Sequence, residues 1–140
     1  MTKILVFGDS IAWGAFDLEK GGWVERLKVY FLNNYKEKGI GVYNLAVSSN
    51  DTRGVINFLE SDMKKINEIE PEEYILLFSI GTNDFRYIGS KENVVISKEE
   101  FKENLNKIIS VSKKYSDKII FTGFPLIDEE KTMPWHRNEY

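Results

Sequence analysis

A serine stands where an apolar run gives way to a turn. Ile4-Leu5-Val6-Phe7 is uninterrupted, Gly8-Asp9-Ser10 follows directly, and Ile11-Ala12-Trp13-Gly14 comes next. Open parallel sheets gather reacting groups in the crevice beyond the carboxyl ends of their strands. A serine hydroxyl in that crevice can attack a carbonyl if a nearby base takes its proton. Two more polar clusters follow apolar runs, Asn44 to Asp51 and Gly81-Thr82-Asn83-Asp84. Loop amides and the Asn83 side-chain amide are the donors that a developing oxyanion needs. These are parts for acyl transfer. The base is the weak point, since the chain's one histidine is His136, four residues from Tyr140.

Bringing three clusters to one edge requires strands and helices in alternation. Ile4 to Phe7 reads as the first strand. A helix from about residue 22 to residue 36 puts Trp23, Leu27 and Tyr30, with Val24 and Phe31 beside them, on an apolar face. Residues 42–47 read as the second strand. Val55, Leu59, Met63 and Ile66 then recur at helical spacing behind an Asp51-Thr52 cap. Residues 74–80 read as the third strand, and 81–95 as a long loop. Ser97-Lys98-Glu99-Glu100 matches a capping box, and Phe101, Leu105, Ile108 and Ser112 give the face of the helix it starts. Ile119-Ile120-Phe121 reads as the fourth strand. Apolar strands separated by helices indicate a parallel sheet covered on both faces, an α/β fold in a single domain over 1–140.

From Gly123 to Tyr140 the pattern stops. The expectation is a domain truncated after the fourth strand, or one that borrows its remaining piece from a partner. The alternative is a C-terminal arm packed back over the strand edge.

Composition excludes several classes. The formal net charge is −3 and no basic stripe tracks phosphates, so nucleic acid is not the expected partner. Absence of cysteine rules out disulfides and thiolate metal sites and permits a reducing compartment. Met1-Thr2-Lys3 leaves no room for a secretion signal before the first strand, and no apolar run reaches the length of a membrane span. The expected location is cytoplasmic. Asp9 reads as structural, bonding neighbouring loop amides. Trp13, Trp23 and Tyr43 read as core or pocket wall, and Arg53, Arg86 and Tyr87 as solvated loop residues.

The Gly8-to-Gly14 segment resembles the first block of the SGNH hydrolases, also called GDSL-type esterases and lipases, with Ile11 where leucine is commoner. Gly81-Thr82-Asn83-Asp84 is similar to the third block without departure, and the resemblance covers nearly the whole chain. It implies a flavodoxin-like three-layer α/β/α fold and hydrolysis of a small acyl ester through an acyl-serine intermediate. Neither a metal nor an organic cofactor is implied. Ser10 would be the nucleophile and donate its own amide to the oxyanion. Asn83 would donate through its side chain, and Asp84, alongside Gly81, would help hold the loop. The family's second block offers a glycine amide where this chain has Ser49. A backbone donor survives there provided the position does not require positive φ.

The family's Asp-x-x-His block has no counterpart, since Met133 stands three residues before His136. That block normally follows a fifth strand and precedes a final helix, elements the hydrophobic pattern also lacks. His136 is the one substitute base, set against a pocket-lining or surface role because no acid is placed to orient it and the terminus is close. The expectation is therefore an impaired hydrolase in this 140-residue form. The rival is a non-catalytic module that assembles with itself, as a homo-oligomer, or with a complementary chain through the incomplete side of the sheet. A nucleotide- or flavin-binding domain is disfavoured, because the first loop lacks both Gly-x-Gly-x-x-Gly and a phosphate loop.

Overall fold

The run Ile4–Phe7 is apolar at every position because both faces of its strand are covered. The computed structural model describes residues 1–66 and 73–124. Along the chain come β1 (Thr2–Gly8), α1 (Ser10–Trp13), α2 (Gly22–Asn34), a 3-10 turn (Lys36–Lys38), β2 (Ile40–Asn44), α3 (Thr52–Ile66) and β3 (Glu73–Ser79). The hairpin β4 (Tyr87–Ile88) and β5 (Ser90–Val94), α4 (Lys98–Ser112) and β6 (Ile119–Phe121) follow. The main sheet is parallel with strand order β2-β1-β3-β6.

Alternate residues of each strand feed opposite layers. Leu5 and Phe7 of β1 join Leu76, Phe78 and Ile80 against Val55, Leu59 and Met63 of α3 and Ile108 of α4. Ile4 and Val6 join Val42 and Ala46 against Val24 of α2 and Ala12 of α1. Each fully buried Leu, Ile, Val or Phe contributes about 1.5–3 kcal/mol. The Phe7, Phe78 and Phe121 rings stack across β1, β3 and β6, with centroids 5.3 and 5.1 Å apart. This is a flavodoxin-like three-layer α/β/α sheet.

Register decides where the loops leave. Val6 lies opposite both Asn44 and Leu77, and Gly8 lies opposite Ser79, so β1, β2 and β3 end nearly level. Gly8 is required by this convergence. A Cβ there would lie 2.6 Å from the Ser79 carbonyl oxygen and 2.7 Å from the Ala12 methyl.

Several elements depart from the sequence reading. The helix read to residue 36 stops at Asn34, and Tyr30 leaves the core to pack edge-on against Phe31. β2 begins at Ile40 and ends at Asn44, whose side chain donates to the Ala12 carbonyl (3.0 Å) and accepts the Ala46 amide (3.2 Å), turning the chain. The long loop contains the β4–β5 hairpin. Ser97 accepts the Glu100 amide at 3.2 Å, but the Glu100 carboxylate pairs with Arg53 instead of closing the box. Arg53 therefore sits on α3 and clamps it to α4, with bonds of 2.6 and 2.7 Å. Trp13 is exposed rather than core, and Tyr43, also outside the core, forms part of a groove wall between α2 and β2. Among the described residues β6 pairs only with β3, and Ile120 and Phe121 keep much of their surface in water.

Candidate active site

The crevice is built from three strand tips. Beyond β1, Asp9 is the N-cap of α1. Its buried carboxylate accepts the Ile11 amide at 2.9 Å, and its own amide donates to the Ser79 carbonyl at 3.3 Å. Burial pushes the Asp9 carboxyl above the usual carboxylate range, against the pull of the Ile11 amide and the Thr82 hydroxyl. Ser10 is the first residue of α1 and half-buried. Its carbonyl accepts the Gly14 and Ala15 amides at 3.1 and 2.9 Å. Among the described residues no hydrogen bond occupies the Ser10 amide or hydroxyl.

Beyond β2 the chain stays against β1, the Leu45 amide donating to Val6 (2.8 Å) and the Val47 amide to Gly8 (3.1 Å). The Asn50 amide donates back to Val47 at 3.1 Å, closing a four-residue turn with Ser49 in third place. Ser49 has a φ of +63°, so the condition set for a non-glycine residue is not met, yet the serine adopts the conformation and keeps its backbone N–H where a glycine would hold it. The site holds a serine in a left-handed conformation that glycine would adopt freely, at about 1–2 kcal/mol.

Beyond β3, Asn83 donates its side-chain amide to the Asn50 carbonyl at 2.8 Å, which leaves a second N–H on the same nitrogen. Asp84 is fully buried and accepts both the amide (3.2 Å) and the hydroxyl of Thr52, at the start of α3. Asn104 of α4 donates to the same hydroxyl at 2.9 Å. Burial raises the Asp84 carboxyl, the Thr52 bonds lower it, and Asp51 nearby raises it further. Asp51 caps α3, accepting the Gly54 amide at 2.9 Å. Gly81, buried, packs against the Phe101 and Phe124 rings.

The three loops are therefore tied pairwise. Val47 joins the second to the first through Gly8, Asn83 joins the third to the second through Asn50, and Asp9 joins the first to the third through Ser79. This ring brings the segments carrying Ser10, Ser49 and Asn83 to one edge. His136 lies outside the described residues, as do Asp128 and Met133. Among the described residues no group of three metal-ligating side chains comes together, and no helix is long and apolar enough to cross a membrane. A groove of about 400 Å³ between α2 and β2 is lined by Leu32, Ile40, Val42 and Tyr43, and none of the candidate catalytic residues borders it. Sequence reasoning took Thr52 only as part of a helix cap, without its bond to Asp84, and missed Asn104. Asn104 stands three positions from Phe101 and four from Ile108, on the apolar side of its helix, and that placement was the available signal.

A parallel sheet of this order, with serine and asparagine on adjoining loops at its carboxyl edge, is the architecture of the SGNH hydrolases. The model of the GDSL-like lipase/acylhydrolase family matches residues 4–137, and the chain belongs to that family. Among solved structures it is similar to an acetylxylan esterase from Geobacillus stearothermophilus, with a TM-score of 0.66 at 25% identity, covering 85% of this chain and 57% of that one. An alpha/beta hydrolase enzyme from the metagenome of Lake Arreo, Spain, shares the fold, with a TM-score of 0.66 at 19% identity, covering 85% of this chain and 58% of that one. This chain thus spans less than two thirds of the length of either structure. Catalytic mutants of the Geobacillus esterase replace a serine, an aspartate and a histidine, the last two separated by two residues. A comparison with curated proteins gives no match.

Proposed function

We propose that this chain supplies the nucleophile and oxyanion donors of a serine ester hydrolase. The observation carrying the reading is the hydrogen-bonded ring among the three loops, because a nucleophile and its donors accelerate a reaction only when held rigidly together. Ser10 Oγ attacks the ester carbonyl, and its proton passes to a base and then to the departing alkoxide. Negative charge on the former carbonyl oxygen is met by the Ser10 and Ser49 amides and the free N–H of Asn83. Water then hydrolyses the acyl-serine, returning the hydroxyl.

No Asp-x-x-His spacing occurs in the sequence, whereas the Geobacillus esterase has catalytic mutants at an aspartate and a histidine so spaced. We therefore expect the 140-residue form to be impaired, retaining the roughly 10³–10⁴-fold advantage over water that binding and oxyanion donors can give alone. The test is hydrolysis of p-nitrophenyl acetate, an acetyl ester chosen because that relative is an acetylxylan esterase. Slow turnover abolished by Ser10→Ala is expected. Turnover indifferent to Ser10→Ala would sink the hydrolase reading, and full-strength Ser10-dependent turnover would overturn the impairment and assign the base to His136.

A second reading, a non-catalytic module that assembles with itself or a complementary chain, draws on the exposed Ile120 and Phe121 of the outermost strand β6. A monomer in sedimentation with no affinity for apolar dyes would end it.

A further inference from the structure

Four exposed apolar side chains follow the nucleophile within nine residues: Ile11 at 40%, Trp13 at 55%, Phe16 at 97% and Leu18 at 98% exposure. The last two stand clear of the molecule on the loop between α1 and α2, and that loop is rigidly founded. The Asp17 carboxylate, between them in sequence, accepts the Lys20 amide at 3.0 Å and the Gly22 amide at 3.2 Å, and pairs with Arg26. The Gly21 amide donates to the Asp17 carbonyl at 3.0 Å, and the Asp17 amide donates to Gly14 at 3.2 Å. Gly14 and Gly22 touch backbone to backbone, where a Cβ on Gly22 would lie 2.4 Å from the Gly14 Cα. Phe16 itself has a φ of +66°, a conformation that a bulky residue adopts only when its surroundings impose it. The fold thus sustains strain to hold two apolar side chains in water. Among the described residues no packing gain offsets it.

We propose that Phe16 and Leu18 dock the protein on an electrically neutral lipid surface beside the Ser10 crevice. Protruding side chains fit a deformable apolar medium better than a small ligand, which could not cover them. The four residues present on the order of 500 Å² together, short of the roughly 800 Å² per partner of a stable protein interface. Charges at the tip balance, Asp17 against Arg26 and Glu19 beside Lys20, so nothing selects an anionic surface. Continuity with the site supplies the direction. The Ala15 amide is bonded to the Ser10 carbonyl, so the platform starts one residue from that contact. Docking itself does not depend on the hydrolase reading.

The test is cofloatation of the 140-residue chain with phosphatidylcholine vesicles, read together with Trp fluorescence. Two side chains bury fewer carbons than a myristoyl chain, so association is expected at millimolar lipid. It should persist in 0.5 M NaCl and in Ser10→Ala. The double variant Phe16→Ser/Leu18→Ser should weaken it about tenfold or more. Phe16→Gly should weaken it while leaving the melting temperature unchanged or higher, because strain is relieved and no packing is lost. Wild-type binding by the double variant, or no cofloatation, overturns the proposal. So does a dimer in sedimentation that the double variant abolishes, or protection by an acetylated xylo-oligosaccharide in place of lipid. Because binding is read without turnover, loss of the esterase reading leaves this result unaffected.

Discussion

At Ser49 the chain keeps a β-carbon in a left-handed turn whose proposed role needs only a backbone N–H. Ser49→Gly should therefore raise stability by about 0.5–1 kcal/mol, the strain relieved less the added freedom of the unfolded chain, without loss of ester turnover. Urea titration checks the first and p-nitrophenyl acetate the second. Asp84 gives a pH signature. Its carboxyl is raised by burial, so the folded state holds that proton to higher pH than the unfolded chain does. Its contribution to stability is complete below about pH 4 and declines as pH rises through the folded value. The stability of wild type minus that of Asp84→Asn should shrink between pH 4 and pH 7 in urea titrations. A difference that grows would mean that the Thr52 bonds keep Asp84 ionised. The placement of Ser10 and Asn83 on loops at the sheet edge was legible because both stand in short motifs behind apolar runs. The Thr52 bond to Asp84, and the Asn104 bond that Thr52 receives in turn, were not, because they depend on how α3 packs against the β3 loop and α4.

Elements explain how those residues are held. Gly8 ends β1 where Ser79 of β3 and Ala12 of α1 close in from two sides, so Gly8→Ala must push one of them away. The expected cost is about 1–3 kcal/mol, typical of overpacking, with a larger fall in Ser10-dependent turnover than Ser49→Gly could cause. Thermal melts beside initial rates would measure both. Existence of the main strands could be read because each is a run of apolar residues, whereas their order in the sheet, β2-β1-β3-β6, is not encoded in that pattern. The hairpin could not be read, because β4 has two residues and β5, Ser-Lys-Glu-Asn-Val, carries no alternating apolar pattern. The loop of Phe16 and Leu18 was also opaque. Its conformation comes from Asp17 contacts and a glycine–glycine approach that no periodicity encodes.

On the scale of the molecule, stability rests on two apolar layers sharing one sheet. Leu59 is fully buried in the layer of α3 and α4, and Leu59→Ala should cost about 2–5 kcal/mol in urea with an unchanged m-value. Among the described residues β6 contributes less, since Ile120 and Phe121 are partly in water. β1 is the spine of this arrangement, paired on both sides, and its partner in β3 lies 71 positions later, as between Thr2 and Glu73. At roughly 5–20 residues per second, a ribosome makes β3 about 4–14 s after β1. Throughout that interval one flank of the central strand of the nascent polypeptide stays open, with β2 alone at hand to pair with it.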